Sequence, residues 1–220
     1  MVASRPQPAR LDESSIALAC AELSILDRRL ATLVARNGVP PLWRRTASFG
    51  TMVKLILEQQ VSLASAAAAY RNLEIRLGSV QPAALLELDN DELKAIGFSR
   101  QKTRYARALA TEIEAGELTL RSLHRLDDAA VIARLSKLVG IGPWTAANFC
   151  LFALGRPDIW PDGDRALVVS MQRALDLDAV PTYDAARELA EGWAPHRSVA
   201  ARLLWHDYLG GPAYDPSSFG

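Results

Sequence analysis

Apolar residues recur at three- and four-residue intervals along nearly the whole chain, and nowhere do they alternate clearly as in a half-buried strand. That pattern restricts the fold to packed helices, since a helix repeats about every 3.6 residues and a strand about every two. Over residues 14–36 the apolar positions are Ile16, Leu18, Leu23, Leu26, Leu30, Leu33 and Val34, and Gly38 with Pro40-Pro41 closes the run. A second helical block runs over residues 49–77 and stops at Gly78. Short helices are predicted over 82–88 and 91–96, the second capped by Asp89, and Ser99 caps a helix over 100–115. Asp127 or Asp128 opens a helix that runs to Val139, and Pro143 opens the next, to Leu154. The last three are predicted over 164–175, 183–193 and 197–208.

Composition narrows the setting. A chain of 220 residues that is 50% hydrophobic can bury a full core, as one domain or as two small lobes. No apolar run is long enough to span a bilayer. The first ten residues carry no apolar stretch and read as a loose tail rather than a signal peptide. The stretch from Gly210 onward is rich in Gly, Pro and Ser and reads as frayed. Cys20 and Cys150 sit inside apolar helical patterns without metal-ligand spacing, which fits a reduced, intracellular setting. The formal net charge is zero, with 25 basic and 25 acidic residues, so a uniformly basic nucleic-acid binder is excluded. A local basic face is not: Arg100, Lys102, Arg104 and Arg107 cluster in one segment and Arg44-Arg45 in another, with a solvated helix face the equal alternative.

Two motifs carry chemistry. Gly140-Ile141-Gly142 lies between two helical patterns, where glycine allows positive φ and lets a phosphate approach without a Cβ in the way. Pro143 then opens a helix whose first N–H groups and positive dipole end suit an anion. An ordinary turn between helices explains Gly-X-Gly taken alone. Asp164 follows Gly163 and precedes the apolar run Ala166-Leu167-Val168-Val169, which suits a helix N-cap and equally a catalytic carboxylate. Asp162 is the competing carboxylate. Trp144, Trp160, Trp193, Trp205 and Phe49 each read first as core, though some can stack on an extruded base. Gln59-Gln60-Val61-Ser62 interrupts two apolar stretches, either as a bend capped by Ser62 or as a loop that pushes a side chain into a duplex. His124, His196 and His206 are too scattered for a metal site, and no Ser-His-Asp machinery is recognisable.

Five segments in order resemble the helix-hairpin-helix DNA glycosylases, in their 3-methyladenine glycosylase II (alkylpurine) branch. They are Ile56 to Ser62, Leu93 to Gly97, Leu138 to Ala146, Trp160 to Leu167, and Trp193 through Trp205, within a likeness covering residues 42–208. The resemblance implies an all-α fold, two helical lobes around a cleft with a helix-hairpin-helix motif, over residues 11–212 between tails 1–10 and 213–220. With 41 residues before Leu42, no extra N-terminal β domain is expected. Asp164 matches the catalytic aspartate, a position Asp162 does not occupy. Trp144 and Trp205 match aromatics of the base pocket, where Phe49 and Asn148 are also placed. Asn148 stands where well-known members have a tyrosine. Gln60 falls at the duplex wedge. Gly140, Ile141, Gly142 and Thr145 match the hairpin that holds the backbone 3′ to the lesion. Its carbonyls, residues 138–142, are where relatives hold a monovalent cation (Na+ or K+). No other cofactor and no side-chain metal site is expected.

The implied activity is monofunctional excision of alkylated purines from duplex DNA by hydrolysis of the N-glycosidic bond, in base excision repair. Bifunctional relatives carry a lysine where this chain has Trp144, so no lyase step is expected, and the four C-terminal cysteines of iron-sulfur relatives are absent. The expected partner is double-stranded DNA with a damaged base, not a membrane. The expected state is a monomer in the bacterial cytoplasm, beside the chromosome. Two alternatives stay open: a glycosylase for deaminated or oxidised bases, to which Asn148 adds hydrogen bonds, and a non-catalytic damage sensor.

Overall fold

Capping side chains, more than apolar spacing, decide where these helices begin and end. In the computed structural model, which describes residues 9–213, the helices in chain order are α1 (Glu13–Leu26), α2 (Arg28–Asn37), α3 (Phe49–Glu58), α4 (Leu63–Leu77), α5 (Pro82–Glu87) and α6 (Asn90–Ile96). They continue with α7 (Arg100–Glu114), α8 (Asp128–Leu135), α9 (Pro143–Phe149), α10 (Arg165–Ala174), α11 (Tyr183–Glu191) and α12 (Arg197–Leu209). No strand occurs among the described residues, so the all-helical expectation holds. The predicted tails fall outside the described residues, save Ala9, Arg10 and Ala213.

Three predicted helices are shorter than the periodicity implied. Residues 14–36 form two helices, because Asp27 leaves helical geometry at φ −140° and its carboxylate accepts the Arg29 N–H to start α2. Residues 49–77 break at 59–62, which is the bend capped by Ser62 that the sequence offered, Ser62 accepting the Ser65 N–H to start α4. The helix expected to reach Val139 stops at Leu135, and tight turns take over, with Leu138 N–H donating to Leu135 O and Ile141 N–H to Leu138 O. Apolar spacing runs on through each break, so only the polar residue that captures a free N–H marks it.

The chain forms two compact units, Arg45–Phe149 and, separately, Ala9–Arg44 together with the described residues from Cys150 onward. Each is built around a buried helix. In the first, every residue of α3 from Phe49 to Leu57 is buried, and α4, α7 and α9 pack around it. In the second, Ser198 to His206 of α12 is buried among α1, α2, α10 and α11. A helix apolar all round is a core helix rather than a surface one. Both cysteines are buried, and burial raises the Cys20 thiol to about 11.

Each buried helix also carries charge inside. Arg45 and Glu58 form a two-bond ion pair at 2.7 and 3.0 Å with both side chains almost wholly enclosed. Lys54 lies 5.3 Å over the Tyr70 ring, and burial, then Arg45, pulls its amine below the usual lysine range. In α12 the enclosed Arg202 guanidinium donates to Leu42 O, Ser198 O and Leu151 O at 3.1, 3.1 and 2.8 Å. Leu151 belongs to a π-helical turn, Cys150–Leu154, which widens the helical path and displaces its carbonyls from their usual partners. Arginine's planar fork of donors suits several carbonyls at once and keeps its charge when enclosed.

Candidate active site and nucleic-acid interface

The first unit assembles the hairpin and the loop after α3. Gly140 has φ +81°, and a Cβ there would fall inside the Tyr105 ring, which packs flat against the backbone. Glycine is therefore required at 140 twice over, by conformation and by contact. Gly142 differs, with ordinary φ, an exposed position and open space where a Cβ would stand. With the exposed Val139 and Pro143 it forms the outer lip of the turn, while Ile141 and Thr145 are each only 2% exposed. The side chains of Ile141 and Thr145 thus point into the protein and leave only main-chain groups to face a ligand at the turn. The Thr145 hydroxyl is engaged from within, accepting from Gln59 Nε2 at 2.9 Å, and the same amide donates to Gly140 O at 2.9 Å. Gln60 is exposed, at φ +56°.

The other expected pocket residues of this unit differ in reach. Trp144 is half-buried on α9. Phe49 is the buried first residue of α3, behind the Ser48 cap, and is 5% exposed. Asn148 is enclosed, and its amide donates to Trp144 O one turn back at 2.9 Å, so it stiffens the helix that carries Trp144. The basic segment divides. Lys102 Nζ donates to Leu57 O at 2.7 Å, and Arg107 donates to the carbonyls of Leu86 and Leu88. Both satisfy carbonyls left over at helix ends. Arg100 and Arg104 stay exposed. Arg45 turns inward to Glu58, and Arg44 donates to Leu11 O.

The second unit builds a carboxylate site. Asp164 is the N-cap of α10, its Oδ1 accepting the Leu167 N–H at 3.0 Å and the Trp205 indole N–H at 3.3 Å. A cap role and a half-buried carboxylate coexist in one residue, at the positive end of a helix. Trp205 is 7% exposed, and one face of its indole is stacked on Phe152 with centroids 5.4 Å apart and planes at 26°. The Arg202 guanidinium lies 5.5 Å over the Phe152 ring, so the Trp205 plane is fixed from behind by an aromatic and a cation. Ser170 Oγ donates to Leu204 O at 2.7 Å and sets α10 against α12 beside the Asp164–Trp205 contact. The segment leading to Asp164 is pinned to the start of α12, with Ile159 N–H donating to Ser198 Oγ at 2.9 Å and Arg197 forking onto Asp158 at 2.8 Å. Asp162 faces elsewhere and pairs at the surface with Arg187 at 2.6 Å. Trp160 and Trp193 pack edge-to-face at 5.8 Å, and the Trp193 indole donates to Asp27, which accounts for both without a ligand.

Sequence reasoning named Asp164, Trp205 and the hairpin but missed what holds them. Gln59 gave no sign of which neighbour of the Gln59-Gln60 pair faces inward. Arg202 did leave a signal, as a lone charge in the apolar run Val199-Ala200-Ala201-Arg202-Leu203-Leu204-Trp205. Among the described residues no cluster of His, Cys, Asp and Glu could hold a metal ion. None of the helices is long and apolar enough to cross a membrane.

The chain is similar to several known proteins. A putative DNA-3-methyladenine glycosylase of Bacillus subtilis is 29% identical over 184 residues, covering 80% of this chain, which spans 64% of that protein's length. DNA-3-methyladenine glycosylase 1 of Schizosaccharomyces pombe is 26% identical over 199 residues, 87% of each chain. The solved structure of the Schizosaccharomyces pombe 3-methyladenine DNA glycosylase in complex with abasic DNA superposes with TM-score 0.76 at 25% identity, covering 86% of this chain and 95% of that one. A DNA-3-methyladenine glycosidase from Bacillus halodurans gives 0.74 at 27% identity, with 86% of each chain covered. The family model for HhH-GPD superfamily base excision DNA repair proteins matches residues 53–196, more than half of the sequence. The chain belongs to the HhH-GPD superfamily of base excision DNA repair proteins.

Proposed function

We propose that this protein is a monofunctional DNA glycosylase that hydrolyses the N-glycosidic bond of alkylated purines of the 3-methyladenine type in duplex DNA. The observation that carries the reading is Asp164, a carboxylate capping α10 and oriented by the Trp205 indole, in a chain whose relatives bear that enzyme's name. As the C1′–N bond breaks, its electron pair leaves with the base and neutralises the alkylated ring. The sugar becomes cationic, and the Asp164 carboxylate stabilises that charge. Water then adds to C1′ and gives up a proton, for which Asp164 is the general base. The product is a free base and an abasic site in an intact strand. Trp144 offers an indole and no amine, so no Schiff base forms at that position.

In this reading the half-buried Trp144 is the platform for the extruded base. A cationic purine over its face gains about 1–2 kcal/mol that a normal purine does not. Extrusion costs a few kcal/mol and is cheapest at a damaged pair, so weak pairing and ring charge select the same nucleotide. Gln60, exposed on its loop, fills the vacated stack. Gly142 and the first N–H groups of α9 meet the backbone. A sodium or potassium ion would sit on hairpin carbonyls of residues 138–142, an all-oxygen donor set of suitable type, though the carbonyls of Leu138, Gly140 and Gly142 each already accept one N–H bond. Such an ion would add positive charge beside a phosphate. The protein is expected to act on duplex DNA as a monomer, in the compartment of the chromosome.

A panel of duplexes tests the reading, carrying methylated, deaminated or oxidised purines, with released bases separated by chromatography. Release of 3-methyladenine and 7-methylguanine without strand scission supports it. Release of only hypoxanthine or 8-oxoguanine overturns the substrate class. Tight lesion binding with no release of any base indicates a sensor.

A further inference from the structure

One side chain outside the proposed chemistry joins the loop bearing Gln60 to the hairpin. Gln59 caps the C-terminus of α3, its N–H donating to Ile56 O at 3.3 Å. Its side-chain amide turns inward and donates to both Gly140 O and Thr145 Oγ1, each at 2.9 Å. An amide nitrogen has two hydrogens, so both donors are spent inside the protein and none serves a base or a phosphate. The next residue, Gln60, takes the left-handed conformation uncommon for a residue with a Cβ, and its side chain faces solvent. Two contacts from α7 brace the same pair of segments. Lys102 Nζ holds Leu57 O at the end of α3, and the Tyr105 ring packs on Gly140. Thr145, which carries the accepting hydroxyl on the hairpin side of this link, is 2% exposed.

We propose that Gln59 is a positioning residue that makes the Gln60 loop and the hairpin one rigid body, and so sets which nucleotide, counted from the gripped phosphate, is extruded. The inference rests on the reading of Gln60 as wedge and of the hairpin as grip. Opening a base stack is uphill, and the stack pushes back on whatever enters it. A wedge on a loop free to pivot at the end of a helix yields to that push. A loop fixed to the backbone-binding element transmits it, and the distance between grip and wedge becomes a fixed length. Lys102 and Tyr105 give the body stiffness, but of these three side chains only Gln59 bonds from the wedge loop itself to the hairpin.

The test uses a stable duplex carrying a tetrahydrofuran abasic analogue with 2-aminopurine beside it, whose fluorescence rises on unstacking and needs no base release. Gln59→Met keeps the volume and removes the donors, and Thr145→Val removes one acceptor. At saturating protein, Gln59→Met is expected to cut the fluorescence step about fivefold or more, while affinity for undamaged duplex changes by less than about twofold. Thr145→Val is expected to act in the same direction. Gln60→Ala is expected to cost as much as Gln59→Met in the wild-type background and little in the Gln59→Met background, since an unsupported wedge has little left to lose. An unchanged step in Gln59→Met overturns the proposal. So does a Gln60→Ala cost that is the same in both backgrounds, or a parallel fall in undamaged-duplex affinity and melting temperature, which marks a merely structural role. Full unstacking by the wild type without release of any alkylated purine leaves Gln59's role standing and overturns the substrate reading instead.

Discussion

At position 140 a methyl group has no room, and at position 142 it has nothing to touch. This contrast separates what the two glycines are for. Gly140→Ala puts a Cβ into the Tyr105 ring and forces a positive φ on alanine, and is expected to cost about 2–3 kcal/mol of stability. Gly142→Ala is expected to leave stability within about 0.5 kcal/mol, as at other open surface positions. If glycine at 142 serves a close approach of the DNA backbone, the same variant weakens duplex binding. Chemical denaturation beside a binding titration separates the two effects. Asp164 and Trp205 offer a second test at this scale. Trp205→Phe keeps an aromatic on Phe152 but removes the N–H from Asp164 Oδ1. A hydrogen bond to a charged group contributes about 1.5–3 kcal/mol, so single-turnover excision is expected to fall at least about tenfold. Affinity for lesion-containing duplex is expected to change far less, whereas a purely base-stacking Trp205 predicts the opposite split. The carboxylate and Gly140 were legible in the sequence because their residue types are demanded by charge and by conformation. The neighbours that orient them were not, because Gln59 reaches 81 and 86 residues along the chain and Arg202 reaches 51 and 160, while Tyr105 and Phe152 act through ring packing that spacing does not encode.

Among the elements, the junction of α1 and α2 shows what ends a helix. Asp27 closes the first, caps the second, receives the Arg29 guanidinium and accepts the Trp193 indole N–H at 3.1 Å. The Arg29 side chain foremost, and then Trp193, holds the Asp27 carboxyl down to about 2. A carboxyl lowered on folding stabilises the fold fully above its unfolded value of about 3.9, and that contribution disappears as pH falls toward the folded value. Asp27→Asn keeps a capping oxygen and loses the charge. It is expected to be less stable than the wild type in denaturant titrations at pH 6, with the gap closing between about pH 4 and pH 2. A gap that persists at pH 2 assigns the loss to capping geometry instead. Helix existence was readable nearly everywhere from the apolar spacing, and α4, α6, α7, α8 and α10 carry the caps that Ser62, Asp89, Ser99, Asp127 and Asp164 announced. Ser62 also marked the bend at 59–62, but the break at Asp27 was not readable, because apolar positions keep their phase across it. The π-helical turn after α9 was invisible for the same reason: one extra residue per turn leaves an all-apolar sequence unchanged in pattern.

At the scale of the molecule, each unit puts its candidate functional residues on or beside a helix that is buried over most of its length, α3 in one and α12 in the other. Buried helices are the least deformable supports a small protein has, and a catalytic group must be held within a fraction of an ångström. Several basic residues follow the same division of labour: Arg45, Lys102, Arg107 and Arg202 are spent on an internal carboxylate or on carbonyls rather than on a basic face. Composition therefore hid the nucleic-acid relation, and the ordered motifs from Ile56 to Trp205 disclosed it, because they record which backbone turns and which carboxylate the fold preserves. The most direct test is base release from methylated duplex DNA by the wild type and Asp164→Asn side by side, with binding to the same duplex measured for both. The account predicts release of 3-methyladenine by the wild type into an intact strand. It predicts a loss of at least about a hundredfold in Asp164→Asn with duplex affinity retained. Near-normal release by Asp164→Asn would contradict it.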